Sequence, residues 1–223
     1  MSLALTSFQN NQADIEQLWQ IHEEYAGQGR GRKYGVEVLN RSVVIFVTAC
    51  WESYVEDLAR EAFSFLLEHA ADSSAIPAKV RNYAVAELHK QKDPARLWEI
   101  ADQGWRHVLE LHKDSVMEKW LGGFNTPKAK PINDLFSELL GIPKISDSWN
   151  WQKMSSARAM EKLDEYITVR GNIAHRIRDE GNVAKVLGYQ YLSHVISLVY
   201  RTESAVKQHL QNATGVEPWP HVD

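Results

Sequence analysis

Apolar residues recur along most of the chain with the 3.6-residue period of amphipathic helices. The pattern is strongest in four segments, near residues 14–25, 36–69, 156–177 and 183–212. No alternating apolar and polar pattern of the strand type is sustained, and no internal repeat of fixed period is present. We therefore predict an all-α chain in which these four helices form an antiparallel bundle.

Start and stop residues set the expected helix ends. Polar side chains that suit an N-cap precede the first and third segments; they are Asn10, Asn11 and Asp14 for the first, and Ser155 and Ser156 for the third. Pro77 suits the first turn of a new helix, and residues 105–121 predict one helix ended by Gly122. Residues 77–140 thus predict a helical insertion within a single domain of residues 1–223.

Composition narrows the class of protein. The 223 residues are 44% hydrophobic and 24% charged, which is typical of a globular chain. The single cysteine, Cys50, excludes an internal disulfide and a multi-cysteine zinc site, and its apolar surroundings indicate an inert core thiol. The histidines lack metal-ligand spacing, so we predict neither a metal site nor a cofactor.

Charge and hydropathy also limit where the protein acts. The longest uncharged apolar stretch, Ser42 to Trp51, is about half of the ~20 residues that a membrane span needs. The first residues lack the basic segment of a signal peptide, which together with the lone cysteine favours the cytoplasm. The net charge of -4 argues against coating nucleic acid through bulk positive charge, and leaves room for a local basic site.

A basic cluster occurs near the end of the third predicted helix, where Arg170, His175, Arg176 and Arg178 follow one another closely. Because helical residues turn by about 100° each, Asn172 shares a face with His175 and Arg176, whereas Arg170 and His175 lie about 140° apart. A second copy of this helix, antiparallel across a two-fold axis, brings Arg170 of one subunit toward His175 of the other. The spacing therefore favours a homodimer with a composite site.

Residues 170–175, Arg-Gly-Asn-Ile-Ala-His, resemble the R-x4-6-H motif of the HEPN superfamily (higher eukaryotes and prokaryotes nucleotide-binding domains). The earlier helix around Trp51 and Glu52 is similar to the apolar, tryptophan-glutamate helix of the RiboL-PSP type of that superfamily. The resemblance covers the bundle helices and leaves residues 71–150 unexplained. It implies a dimerising helical bundle and, in many members, a metal-independent endoribonuclease of toxin–antitoxin or antiviral defence, with an antitoxin or a nucleotidyltransferase as partner.

Residue by residue, the resemblance implies that Arg170 and His175 are the catalytic pair and that Asn172 is the polar residue within the motif. The family more often has that polar residue directly after the arginine, where this chain has Gly171. Some members carry a tyrosine two residues after the histidine as a target for nucleotidylation. This chain has Ile177 there, so that mode of control is not implied.

These side chains suit RNA cleavage by the RNA's own 2′-hydroxyl. An imidazole that transfers protons near neutral pH contributes ~10²–10⁴-fold to the rate, which is the role expected of His175. A guanidinium binds two phosphate oxygens and stabilises developing negative charge, which suits Arg170, while Asn172 orients the histidine or the phosphate. Arg176 and Arg178 are expected to bind substrate. The products would be a 2′,3′-cyclic phosphate and a 5′-hydroxyl.

Glu52 ends an apolar run, and a buried carboxylate needs a partner because its desolvation is costly. It either fixes Arg170 or His175 as part of the catalytic set, or it forms an interhelical salt bridge or an exposed face. Arg170 and His175 also have an alternative, a solvated basic helix end favoured by the helix dipole. The second hypothesis is accordingly a non-catalytic, dimeric helical module that binds RNA, a nucleotide or a protein.

Overall fold

A computed structural model describes residues 1–27, 35–90, 92–175 and 183–219. These residues form eight α-helices and three short 3₁₀ helices, with no β-strand among them. The α-helices are α1 (Leu3–Ala26), α2 (Glu37–His69), α3 (Ala78–Lys90), α4 (Gly104–Leu111), α5 (Lys113–Leu121), α6 (Ala129–Leu140), α7 (Ser156–His175) and α8 (Lys185–Thr214). The prediction of an all-α helical bundle is confirmed. None of the described helices combines the length and the apolar character that crossing a bilayer requires.

The central element is α2, which packs against α1, α4, α6, α7 and α8. Its apolar run predicted burial on most sides, and Val44, Val47 and Trp51 are fully inaccessible to solvent. The indole Nε1 of Trp51 donates to the carbonyl oxygen of Pro127 at 3.1 Å, which satisfies its only polar atom in the core. Because these helices pack around α2, it fixes the relative positions of the elements that carry the motif.

The predicted start of α1 is wrong. The helix begins at Leu3, and the expected caps Asn10, Asn11 and Asp14 lie inside it. Ser2 is the actual N-cap, and its hydroxyl oxygen accepts from the backbone N–H of Leu5 at 2.9 Å. Carboxylates from distant helices satisfy other free donors of this end: Glu203 accepts from the Ser2 backbone and hydroxyl, both at 2.8 Å, and Glu61 accepts from the next two backbone N–H groups.

The single helix predicted for residues 105–121 is divided in two. His112 leaves helical geometry, with φ −101° and ψ 8°, and separates α4 from α5. Both helices bury apolar residues, including Val108 in α4 and Val116 in α5, so the row of buried apolar residues continues across the break. An apolar period of this kind does not reveal a change of direction at one residue.

The connection before α7 is packed onto the bundle through its two tryptophans. Trp149 is fully buried, and its Nε1 donates to the hydroxyl oxygen of Thr202 on α8 at 2.9 Å. Trp151 is half-buried and also packs against the core. These contacts hold the start of α7 beside α8, which places the motif helix between α2 and α8.

Candidate active site

The motif lies on α7, which begins as the sequence predicted. The hydroxyl oxygen of Ser155 accepts from the backbone N–H of Arg158 at 3.3 Å. The apolar side of the helix is buried at Ala159, Leu163, Tyr166, Ile167 and Ile173, whereas Ala174 is exposed. α7 therefore presents its apolar side to α2, α6 and α8 and keeps polar residues along its margins.

Arg170 is half-buried on α7, and within the described part of the chain its Nε is a buried donor without a hydrogen-bond partner. Asn172 is also half-buried, two residues further along. His175 is the last residue of α7, but its side chain is not described. Arg176 and Arg178, the predicted substrate-binding residues, lie outside the described residues. Of the motif side chains, the structure thus describes those of Arg170 and Asn172.

Glu52 is half-buried on α2 and interacts electrostatically with Arg170. Burial raises the pKa of Glu52, and the charge of Arg170 lowers it in opposition. These two described side chains do not form a direct ion pair, so the Arg170 guanidinium retains donors for another anion. Glu56 lies one turn further along α2, and its pKa is raised by burial and then by the charge of Glu52. The motif-helix arginine that sequence reasoning sought for Glu52 is therefore Arg170.

Tyr191 on α8 is a further residue of this cluster that sequence reasoning did not assign to the site. It is fully buried, and its hydroxyl lies 3.0 Å from Oγ1 of Thr48. Because Thr48 donates its own proton to the carbonyl oxygen of Val44, Tyr191 is the donor to Thr48. Burial raises the pKa of Tyr191, whereas the charge of Arg170 lowers it and that of Glu52 raises it. Its apolar neighbours on α8 give no sign of this polar contact in the sequence.

The ring of Tyr191 stacks on that of Tyr166, with centroids 4.4 Å apart and planes at 19°. Tyr166 lies one turn before Arg170 on α7, so this stack joins α7 to α8 one helical turn before the arginine. The charge of Arg170 therefore acts on Glu52 of α2 and Tyr191 of α8, and Tyr191 in turn contacts Thr48 of α2 and Tyr166 of α7.

Cys50 occupies the core, as its apolar surroundings predicted. It is 3% exposed, and burial is the main reason that its pKa rises to about 11. The thiol is therefore protonated and unreactive near neutral pH. In the described ranges, no three or more side chains of His, Cys, Asp or Glu come together in a way that could hold a metal ion.

Comparison with known proteins adds a family assignment. A family model described as RiboL-PSP-HEPN matches residues 8–208. No curated protein and no solved structure matches the chain. The matched range includes the inserted helices α3 to α6, which the motif resemblance had left unexplained, and it includes Glu52, Arg170 and His175.

Proposed function

The chain belongs to the RiboL-PSP-HEPN family, and we propose that it is a metal-independent endoribonuclease that cleaves RNA to 2′,3′-cyclic phosphate and 5′-hydroxyl ends. The observation that carries this proposal is the environment of Arg170. Its Nε is buried without a partner among the described residues, although unsatisfied buried donors are rare and costly. A phosphate oxygen bound there would satisfy that donor and form a charge-assisted hydrogen bond.

In this mechanism Arg170 binds the scissile phosphate and stabilises the charge that develops on its oxygens. His175 takes the proton of the 2′-hydroxyl or protonates the 5′-oxygen as it leaves. Asn172 orients the histidine or the phosphate, and Glu52 positions the guanidinium from α2. Arg176 and Arg178 bind neighbouring phosphates of the RNA strand.

The proposed active form is a homodimer in which the motifs of two chains share one groove. This arrangement compensates for the angle of about 140° between Arg170 and His175 on one helix, which aligns them poorly within a chain. We place the enzyme in cytoplasmic toxin–antitoxin or antiviral defence, where an antitoxin or a nucleotidyltransferase partner would control it.

Gly171 favours a second candidate function. It occupies the position after the arginine where the family more often has a polar residue, and its hydrogen atom cannot replace a polar side chain there. A chain without that group suits a non-catalytic dimeric module that binds RNA, a nucleotide or a protein. The two candidates differ in whether any bond is cleaved.

The test is to incubate the wild type, His175→Ala and His107→Ala with mixed RNA in EDTA and to analyse the cleaved ends. His107 is an exposed histidine on α4, away from the motif, and is the matched control. We expect the wild type and His107→Ala to leave 2′,3′-cyclic phosphates, and His175→Ala to lose ~10²–10⁴-fold in rate. A fully active His175→Ala would contradict the proposed mechanism. A folded dimer that binds RNA without cleaving it would favour the module.

A further inference from the structure

A groove of about 350 Å³ lies between α7, α8 and the tight turn that precedes α7. The turn joins Trp151 and Met154 by two backbone hydrogen bonds, of 3.1 and 2.8 Å. Lys153 at its tip adopts φ 63°, a left-handed conformation that a tight turn requires. The turn therefore holds the side chains of Trp151 and Met154 next to each other on one wall of the groove.

The lining of the groove combines aromatic surface with a single formal charge. Trp151, Tyr166 and Tyr189 supply rings, and Gln190 supplies an amide. The cation is Lys162, which forms no ion pair with any described carboxylate. Arg158, another cation on α7, is by contrast already paired with two carboxylates, Glu161 at 2.6 Å and Glu165 at 3.2 Å.

Two other cavities lined by described residues have the opposite charge. One, of about 470 Å³ between α1 and α8, contains Glu16 and Glu23. The other, of about 260 Å³ between α2 and α5, contains three carboxylates and one arginine, namely Glu56, Asp114, Glu118 and Arg60. In a chain with net charge -4, the Trp151 groove thus differs from both by presenting a cation and no carboxylate. Its charge is complementary to a phosphate, and its rings are complementary to a base.

The groove and the candidate active site share helix α7. Lys162, Tyr166 and Arg170 lie at positions i, i+4 and i+8, which form one row on a helix with steps of about 6 Å. Tyr166 lines the groove on one side and stacks on Tyr191 on the other. A strand whose phosphate is bound by Arg170 can therefore extend along this row toward Lys162.

We propose that the Trp151 groove binds an unpaired base of single-stranded RNA, stacked on Trp151, while Lys162 binds an adjacent phosphate. This inference rests on the proposed function only for the identity of the strand at Arg170. The occupant is single-stranded because a base must leave its stack and its pairing partner to enter a groove between two helices. Stacking on an aromatic side chain tolerates any base, so the groove adds affinity without a strict sequence requirement.

The experiment measures RNA binding by the full chain carrying His175→Ala, so that cleavage does not interfere. A fluorescent single-stranded RNA of mixed sequence is titrated by anisotropy at several salt concentrations. Trp151→Ala is expected to weaken binding about tenfold and Trp151→Phe much less, since a phenyl ring still stacks. Lys162→Gln should weaken binding and reduce the salt slope by about one. Trp98→Ala is the matched control, because Trp98 is 80% exposed and lies outside the groove.

The outcomes separate this inference from the proposed function. Unchanged RNA affinity in folded Trp151→Ala and Lys162→Gln proteins would refute RNA binding in the groove, even if the wild type cleaves RNA. Loss of the dimer in Trp151→Ala, with RNA affinity unchanged, would overturn it in favour of a protein contact. Equal sensitivity of a fully paired RNA duplex to Trp151→Ala would also overturn it. Binding that depends on Trp151, in a wild type that cleaves nothing, would support the groove and refute the nuclease.

Discussion

The buried imidazole of His194 gives the protein a pH-dependent stability. Its ring nitrogen Nε2 lies 3.0 Å from the carbonyl oxygen of Ala159, so Nε2 carries the proton and donates it. Burial lowers the pKa of His194 to about 4; the bond to Ala159 opposes this change, and the charges of Lys162 and Arg158 add to it. The ring is consequently neutral near pH 7, and Lys162 remains the only charge on the lining of the Trp151 groove.

In the unfolded chain a histidine has a pKa of about 6.5. Between pH 6.5 and 4 the unfolded state therefore binds a proton that the folded state does not, and stability falls as the pH decreases through this window. The loss approaches about 3 kcal/mol when both pKa values have been passed. Urea unfolding at pH 7.5, 6 and 5 should show a smaller loss for His194→Gln, whose amide can still donate to Ala159.

A second histidine, His209, provides a control within the same protein. The ring nitrogen Nε2 of His209 donates to the carbonyl oxygen of Leu140 at 2.8 Å, and burial lowers the pKa of His209 as it lowers that of His194. It is unchanged in His194→Gln, so some loss of stability at low pH should persist in the variant. Identical pH dependence in the two proteins would mean that His194 is protonated equally in the folded and unfolded states.

At the level of single residues, the sequence singled out Glu52 and did not single out Tyr191. Glu52 was expected either to fix Arg170 or His175 or to form an interhelical salt bridge or an exposed face, and the charge of Arg170 does act on it. Tyr191 was not among the predicted site residues. Its hydrogen bond to Thr48 joins positions far apart in sequence, and hydrophobic spacing contains no information about such a pair.

Helix packing can be tested with two glycines that have opposite surroundings. Gly188 is buried on α8, and a Cβ there would lie 2.9 Å from Cγ1 of Val43 on α2. Val43 is β-branched and cannot easily turn away, so Gly188→Ala should destabilise the protein by about 1–3 kcal/mol despite its better helix propensity. At Gly171 on α7, no described atom lies within 4 Å of an added Cβ. Gly171→Ala should therefore stabilise it by about 0.5–1 kcal/mol.

Chemical denaturation of both variants beside the wild type provides the measurement. The midpoints should move in opposite directions, since the substitution is the same and only the space around the Cβ differs. A gain in stability for Gly188→Ala would mean that α2 and α8 separate more easily than their close approach at this position suggests.

At the level of helices, the apolar pattern predicted the bounds of α2 correctly and the start of α1 incorrectly. The apolar run of α2 predicted residues 36–69, and the helix spans Glu37–His69. The beginning of α1 was missed because its stabilising groups are distant: Glu61 and Glu203 bind the free donors of the first turn, and neither is near α1 in sequence. The Asn and Asp residues that looked like caps are polar residues on a helix already formed.

On the scale of the whole molecule, the inserted helices are tied to the bundle rather than appended to it. Arg106 on α4 donates to the last carbonyl groups of α2, at 2.9 Å to Glu68 and 2.5 Å to Ala70. A cation at this end also interacts favourably with the helix dipole. The family match across residues 8–208 agrees with this architecture, since it extends through the insertion. The motif alone predicted only the bundle helices, because the chemistry it encodes is confined to them.

The proposed composite site predicts that two inactive variants restore activity when mixed. Arg170→Ala lacks the phosphate ligand and His175→Ala lacks the proton carrier, so each should be inactive alone. In a mixed dimer, one of the two sites receives Arg170 from one chain and His175 from the other. Random exchange makes half of the dimers mixed, so about a quarter of the wild-type RNA cleavage should return.

Subunit exchange is measured in the same mixtures by energy transfer between labelled chains, which shows that mixed dimers have formed. Arg170→Ala mixed with the double variant Arg170→Ala/His175→Ala is the control; it should stay inactive because neither chain contributes Arg170. If mixed dimers form and cleavage does not return, Arg170 and His175 must act within one chain. The helix would then have to end near Arg170 in the active state, since a continuous helix keeps the two side chains about 140° apart.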